Sequence, residues 1–277
     1  MINYGYSVDI VIVSYNTSGH LRDCIRSIRE HTLPDDYQIW VVDNASTDDS
    51  PQLIKALPEV EGIFNHSNRG YGAACNQGIK AGNGQYIFLL NSDIRVTPHW
   101  LPPLVRVLKS SARIAVVGPK LVSPKGFIFG AGVVGTNAHP VIRGLGEPNL
   151  PSRYNRITEC LSVGGACMGI KRELLPKLGL FDEHYFHYFE ETDYCYNARF
   201  HGYKVVYCPE SQVTHYGHGS CHDSAKLDGY FRASESYFKQ KWQQFLQSET
   251  PLARLHQADG GQRRFVKKSP AGLDTKG

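Results

Sequence analysis

Val8-Asp-Ile-Val-Ile-Val13, then Ser14-Tyr-Asn-Thr-Ser-Gly19, then Leu21, Cys24, Ile25 and Ile28 at helical spacing, decide the fold class of this chain. A short β-branched apolar run reads as a buried strand. The polar stretch after it supplies turn and capping residues, and the recurrence at three and four residues reads as one face of a helix. The unit then recurs. Gln38-Ile-Trp-Val-Val42 leads through Asp43-Asn-Ala-Ser-Thr47 to a helix near 48–57. A short strand at Gly62-Ile-Phe64 leads through a Gly-rich turn to a helix near 71–81. Tyr86-Ile-Phe-Leu-Leu90 ends at Asn91-Ser-Asp93, ahead of a helix near 98–110. Such alternation predicts an α/β fold with a mainly parallel sheet, helices on both faces and ligands at the carboxyl ends of the strands. Ser14, Asp43 and Asp93 fall at those ends.

Beyond a strand at Ile114-Ala-Val-Val117 the sequence becomes Gly-punctuated and β-rich, which predicts a smaller β-containing region. Residues 136–157, with Pro140, Pro148 and Pro151, read as a loop and as the candidate mobile segment. A carboxylate-bearing helix follows near 190–201, then a strand at Tyr203-Lys-Val-Val-Tyr207. Leu227, Phe231, Phe238, Trp242 and Phe245 make the stripe of a closing helix. The 277 residues, 41% hydrophobic and 20% charged, suffice for one large core. We therefore expect a single domain over 1–246, divided into a 1–117 half and a 118–246 half, with 247–277 as an appendage.

The seven cysteines are odd in number, scattered and without a CxxC pair, which fits reduced thiols. Neither a spanning apolar run nor a secretion signal is evident, so the expected location is the cytoplasm. The formal charge of +4 is matched by residues 251–277 alone, where six basic residues face Asp259 and Asp274. That flexible basic tail could touch anionic lipid at the inner face of the membrane. No aromatic-and-basic platform accompanies it, which argues against nucleic acid.

Tyr188-Phe-Glu-Glu-Thr-Asp193 puts three carboxylates into four positions at a helix start. Crowded carboxylates beside aromatic residues serve a proton, a cation or a polyol, unless they are simply a solvated acidic helix end. Glu190, Asp193 and Asn197 share helical spacing, while Glu191 points about 100° away from Glu190. Tyr185, Phe186, Tyr188 and Phe189 would form walls suited to a sugar ring. Asp43 either accepts from an imide N–H or ribose hydroxyls, or stabilises its turn. In Asn68-Arg-Gly-Tyr-Gly-Ala-Ala-Cys-Asn76 the small residues suit either a close ligand or helix–sheet packing, and Arg69 is the member suited to a phosphate or base. Leu89-Leu-Asn-Ser-Asp93 ends a strand in acceptors that can hold a divalent cation against a diphosphate, with Asp93 the expected ligand. His215, His218, Cys221 and His222 match no closed zinc spacing. One histidine, His215, alongside oxygen ligands of Mg2+ or Mn2+ needs fewer coincidences.

Taken in order from Val8 to Ser220, these segments resemble the inverting family 2 glycosyltransferases of the GT-A, Rossmann-like fold, and among them the rhamnosyltransferase-type branch. The resemblance implies a donor-side set of Ser14, Asn16, Asp43, Arg69, Asn76 and Ser92, with the DxD-type motif at Asn91-Ser92-Asp93. It aligns Ser162–Arg172 and Gly179-Leu-Phe-Asp-Glu183 with acceptor-side segments, and assigns Gly165, Tyr188 and Asp193 to the sugar or acceptor. The family's Glu-Asp pair falls on Glu190 and Glu191, with the second member as general base. Asp93 and His215 correspond to the metal ligands. The chain departs from the pattern at Asn91, in place of the first DxD carboxylate, and at Glu191, one methylene longer than aspartate.

The reaction implied is transfer of a sugar from a dTDP- or UDP-sugar to a saccharide or lipid-linked saccharide hydroxyl, inverting the anomeric centre, with rhamnose from dTDP-rhamnose favoured by the branch. Two other readings compete: a nucleotide-sugar-binding module without catalysis, and a metal-dependent phosphoester hydrolase using the 215–222 segment.

Overall fold

A computed structural model describes residues 7–33, 37–217 and 224–247. The basic tail beyond 247, and with it the expected lipid contact, lies outside the described residues, as do His218, Cys221 and His222.

The first half follows the expected alternation. β1 (Val8–Ser14), α1 (Ser18–His31), β2 (Tyr37–Asp43), α2 (Ser50–Lys55), β3 (Val60–Phe64), α3 (Tyr71–Ala81), β4 (Tyr86–Asn91), β5 (Ile94–Val96) and α4 (Leu101–Lys109) succeed one another. The second half adds β6 (Ile114–Val122), β7 (Ile128–Gly130), β8 (Val133–Gly135), β9 (Pro140–Ile142), β10 (Thr158–Cys160), β11 (Cys167–Lys171), α5 (Leu175–Leu178), α6 (Glu190–Phe200), β12 (Lys204–His215), α7 (Ser224–Lys241) and α8 (Gln243–Gln247). The main sheet runs β10-β12-β6-β11-β4-β1-β2-β3, with β5 on β12 and β7 on β6.

β4, β1, β2 and β3 are parallel, so their carboxyl ends open on one edge. β11 enters antiparallel between β4 and β6, which brings the chain back into the sheet beside Asn91. Alternation along β1 sorts the core. Ile10 and Ile12 join Leu21, Ile25, Phe88 and Leu104 on one face, and Val11 and Val13 join Ile79, Ile87, Val116 and Ala198 on the other. A sheet buried on both faces explains the continuous apolar strands, each buried Ile or Leu contributing roughly 1.5–3 kcal/mol.

Two expectations need correction. The strand expected at 203–207 continues to His215, through a register break between Cys208 and Gln212 that absorbs Pro209. Residues 136–157 are also not simply loop, because β9 pairs with β8 and backbone bonds join Gly126 to Asn149 and Ile128 to Glu147. No helix among the described residues is long and apolar enough to cross a membrane.

Candidate active site

The floor of the site is the edge where β1, β2 and β4 end. Ser14, buried at the tip of β1, lies 3.1 Å from the Thr17 hydroxyl, which donates to Ser92 Oγ at 2.9 Å. Thr17 thus joins the β1 and β4 ends, a role sequence reading missed because a lone Thr after a strand looks like any helix cap. Asn16 adopts φ 55°, accepts from Thr47 N–H at 2.7 Å and donates its own N–H to Ser46 Oγ at 2.9 Å. It stitches the loops after β1 and β2 together.

Asp43 is buried at the end of β2. Its Oδ2 accepts from Ser46 N–H at 3.1 Å, while Oδ1 is buried without a partner among the described residues. A buried acceptor without a donor costs about 1–3 kcal/mol unless a ligand completes it. Next to it, Asn44 organises the Gly-rich turn: its amide donates to Asn68 Oδ1 and Gly70 carbonyl, and its Oδ1 accepts from Arg69 N–H and Asn65 Nδ2. Asn44 was also missed, since only the folded turn brings residues 65–70 to it. Arg69 is half exposed and lies 3.8 Å from Glu183. Asn76 lies apart from the strand-end cluster. It accepts from Phe181 N–H and donates to Phe181 carbonyl and Glu183, so its side chain clamps α3 to the loop ahead of α6.

Asp93 and His215 are brought together by strand pairing. β5 runs antiparallel to the end of β12, Tyr216 N–H donates to Asp93 carbonyl, and Asp93 Oδ1 sits 3.4 Å from His215 Nε2. Burial works against ionisation of Asp93, but the hydrogen bond and charge of His215, with His20 nearby, hold the carboxyl below its ordinary value. No group of three His, Cys, Asp or Glu positioned to hold a metal occurs among the described residues. One carboxylate and one imidazole suit a hard divalent cation whose other ligands come from a diphosphate and water.

The carboxylates of α6 separate into three environments. Consecutive left-handed residues, Tyr188 at φ 70° and Phe189 at φ 71°, turn the chain sharply into the helix. Left-handed backbone at non-glycine residues costs about 1–2 kcal/mol each, held here by Phe189 against Phe231 and Phe238. Glu190 is 5% exposed, with Oε2 buried and unpartnered among the described residues. Burial, reinforced by the charge of Glu191, holds its carboxyl well above the ordinary value. Glu191 lies beside Gly165, whose missing side chain makes the room: a β-carbon there would come within 2.9 Å of Glu191 Cγ. Thr192 Oγ1 donates to Glu191 Oε1 at 3.2 Å, and burial raises the Glu191 carboxyl. Gly165 carbonyl in turn accepts from Tyr71 at 3.3 Å, so α3, α6 and the approach to β11 meet at this point.

Asp193 belongs to a different network. It accepts from Tyr185 OH at 3.0 Å, Trp242 Nε1 at 2.7 Å and Lys241 Nζ at 2.9 Å, which fastens α6 to α7. The aromatic residues before α6 do not form the open sugar walls expected of them. Tyr185 meets Tyr237, Phe186 meets Tyr230, and Tyr188 and Phe189 meet Phe231, because the aromatic stripe of α7 covers them.

A profile of the glycosyl transferase family 2 matches residues 9–178, more than half of the chain. An N-acetylglucosaminyl-diphospho-decaprenol L-rhamnosyltransferase of Mycobacterium tuberculosis is 26% identical over 242 residues, 78% of each chain. An uncharacterised protein, y4gI, of Sinorhizobium fredii is 27% identical over 85% of this chain, which spans only 27% of that relative. Among solved structures, GalNAc-T7 with UDP, GalNAc and Mn2+ superposes with TM-score 0.66 at 20% identity, covering 86% of this chain and 50% of that one. The fold is of the GT-A type, and the chain belongs to glycosyl transferase family 2.

Proposed function

We propose that the chain transfers a sugar from a nucleotide diphosphate donor to a saccharide hydroxyl by one in-line, inverting displacement, with Glu191 as general base. The observation that carries this reading is the placement of Glu191 against Gly165, one residue from Ala166, whose carbonyl accepts from Asn91 N–H at 3.0 Å. The raised carboxylate and the strand end leading to Asp93 are therefore joined through two consecutive residues.

Asp43 Oδ1 is available to a nucleoside donor group, and the half-exposed Arg69 to a phosphate or base. Glu191 takes the acceptor proton as attack proceeds, a contribution of roughly 10² to 10⁴ in rate. Its raised proton affinity suits that task. Glu190, buried at the start of α6 with its carboxyl held well above the ordinary value by burial and by the charge of Glu191, is placed away from the acceptor. Asp93 and His215 would hold Mg2+ or Mn2+, and a bound divalent ion would neutralise charge gathering on the leaving diphosphate.

Rhamnose from dTDP-rhamnose, with a lipid-linked saccharide as acceptor, is favoured by the likeness to the mycobacterial rhamnosyltransferase. The reaction would then take place at the cytoplasmic face of the membrane, in surface polysaccharide or glycoconjugate synthesis, with the tail beyond residue 247 assisting contact. The test is release of nucleoside diphosphate from a panel of dTDP-, UDP- and GDP-sugars, with Mg2+, Mn2+ or chelator, comparing wild type with Glu191→Gln. Metal-dependent release from one donor, lost in the variant, is the expected result. Phosphoester hydrolysis, or donor binding without turnover when a saccharide acceptor is supplied, would overturn it.

A further inference from the structure

Backbone bonds from Asn149 N–H to Gly126 carbonyl, Ile128 N–H to Glu147 carbonyl and Arg143 N–H to Gly132 carbonyl, with the β8–β9 pair, set residues 126–135 antiparallel to 140–149 as one ribbon. Ile128 and Ala131 face inward against Cys160 and Tyr207. Outward, the ribbon and the residues after it are unlike the rest of the surface. Phe127, Val141, Ile142, Leu145, Leu150 and Ile157 are each 45–53% exposed. They are six of the nine large apolar side chains counted as exposed among the described residues. Single exposed apolar residues are ordinary, whereas such a concentration marks an interaction surface.

The charge around these residues narrows the partner. Between 125 and 157 four basic residues, Lys125, Arg143, Arg153 and Arg156, accompany one acidic residue, Glu147, which pairs with Arg153. Lys125 and Arg156 are exposed beside Phe127 and Ile157. A symmetric contact between two copies would bring these like charges together, while a bilayer carrying anionic headgroups offers opposite charge and an apolar layer at once.

We propose that this ribbon docks on an anionic membrane surface, with Phe127, Ile142, Leu145 and Leu150 entering the headgroup boundary and Lys125 and Arg156 meeting lipid phosphates. The contact stands on the surface alone and is separate from any made by the basic tail. Its consequence for the acceptor rests on the transferase reading above: Phe129 of the same ribbon, packed against the core, lies 5.0 Å from the His215 ring, so the ribbon that docks also reaches the site where a lipid-linked saccharide would be received.

The experiment is co-sedimentation of the full chain with vesicles of phosphatidylcholine alone and of phosphatidylcholine mixed with phosphatidylglycerol. Wild type is expected to bind the anionic vesicles and to bind less as salt rises. Phe127→Ser/Ile142→Ser/Leu150→Ser should lower binding about tenfold or more, and Lys125→Gln/Arg156→Gln should lower it several-fold on anionic vesicles only. These side chains are exposed, so the variants should keep the wild-type melting temperature. A tail variant, Arg263→Gln/Arg264→Gln/Lys267→Gln/Lys268→Gln, should keep the sensitivity to the triple substitution. Wild type that ignores both vesicles, or a triple variant that binds as wild type, overturns the proposal. So does a wild-type dimer that becomes monomeric in the triple variant. Donor turnover in solution, expected unchanged in the triple variant, separates failure of this contact from failure of the transferase reading.

Discussion

Gly165 stands so close to Glu191 that a β-carbon on it would lie 2.9 Å from Cγ, 3.2 Å from Cδ and 3.3 Å from Cβ of the glutamate. The absent side chain is what lets this glutamate occupy its place against the backbone of residue 165. Its backbone also receives Tyr71 OH from α3, so the position of Glu191 is set by two neighbouring elements as well as by its own helix.

Adding one methyl group at this point should therefore displace the carboxylate. Gly165→Ala is expected to lower kcat roughly 10²-fold, the scale of an ångström-sized misplacement, while donor affinity by calorimetry and melting temperature stay near wild type. A matching loss of donor affinity would place Gly165 in the nucleotide pocket instead.

The pH profile tests the base directly. Burial raises the Glu191 carboxyl, and a general base works only when deprotonated, so kcat/KM should climb with pH through a value above the ordinary glutamate range. In Glu191→Gln this limb should vanish along with most of the rate. A wild-type profile already flat from the ordinary glutamate range upward would remove Glu191 from the role.

Glu190 makes a prediction about stability. Its folded-state carboxyl is held well above the ordinary value by burial and by Glu191, so the native state keeps a proton that the unfolded chain has released. Stability from this group is complete below the unfolded pKa and is lost as pH rises from there toward the folded one. Glu190→Gln, which keeps the shape of the neutral acid, should melt higher than wild type at neutral pH and converge with it in acid. Equal melting temperatures at both pH values would show that Glu190 is ionised and compensated.

Asp193 separates anchoring from sugar binding. Asp193→Ala removes the shared acceptor of Tyr185 and Trp242, while Lys241 keeps Asp182 at 2.7 Å; leaving the two buried donors unpaired should cost about 1–3 kcal/mol each in denaturant titration. Donor affinity of the folded fraction should be unchanged. An unaltered denaturation midpoint with impaired acceptor use would return Asp193 to the acceptor site.

Much of the floor was legible because a parallel sheet leaves a local record. A buried strand needs a continuous β-branched run, and its carboxyl end needs polar turn residues, so Ser14, Asp43 and Asp93 could be found one strand at a time. Asn44 and Thr17 left no such record. Their partners lie at Asn65, Asn68, Arg69 and Gly70, and at Ser92, and only the assembled edge makes those contacts.

The sequence by itself determined the α/β class, the strand ends that form the site, and the presence of crowded carboxylates at the start of α6, because strand and helix periodicities and turn chemistry are properties of neighbouring residues. Tertiary structure alone decided the surroundings of each carboxylate. Helical spacing grouped Glu190 with Asp193, yet packing buried Glu190 with its Oε2 unpartnered among the described residues, tied Asp193 to Lys241 and Trp242, and left Glu191 against Gly165. The same holds for His215, which reaches Asp93 because β12 runs past Pro209 to pair with β5. Burial and long-range pairing join segments from tens to more than a hundred residues apart, and no local pattern encodes which of them will meet.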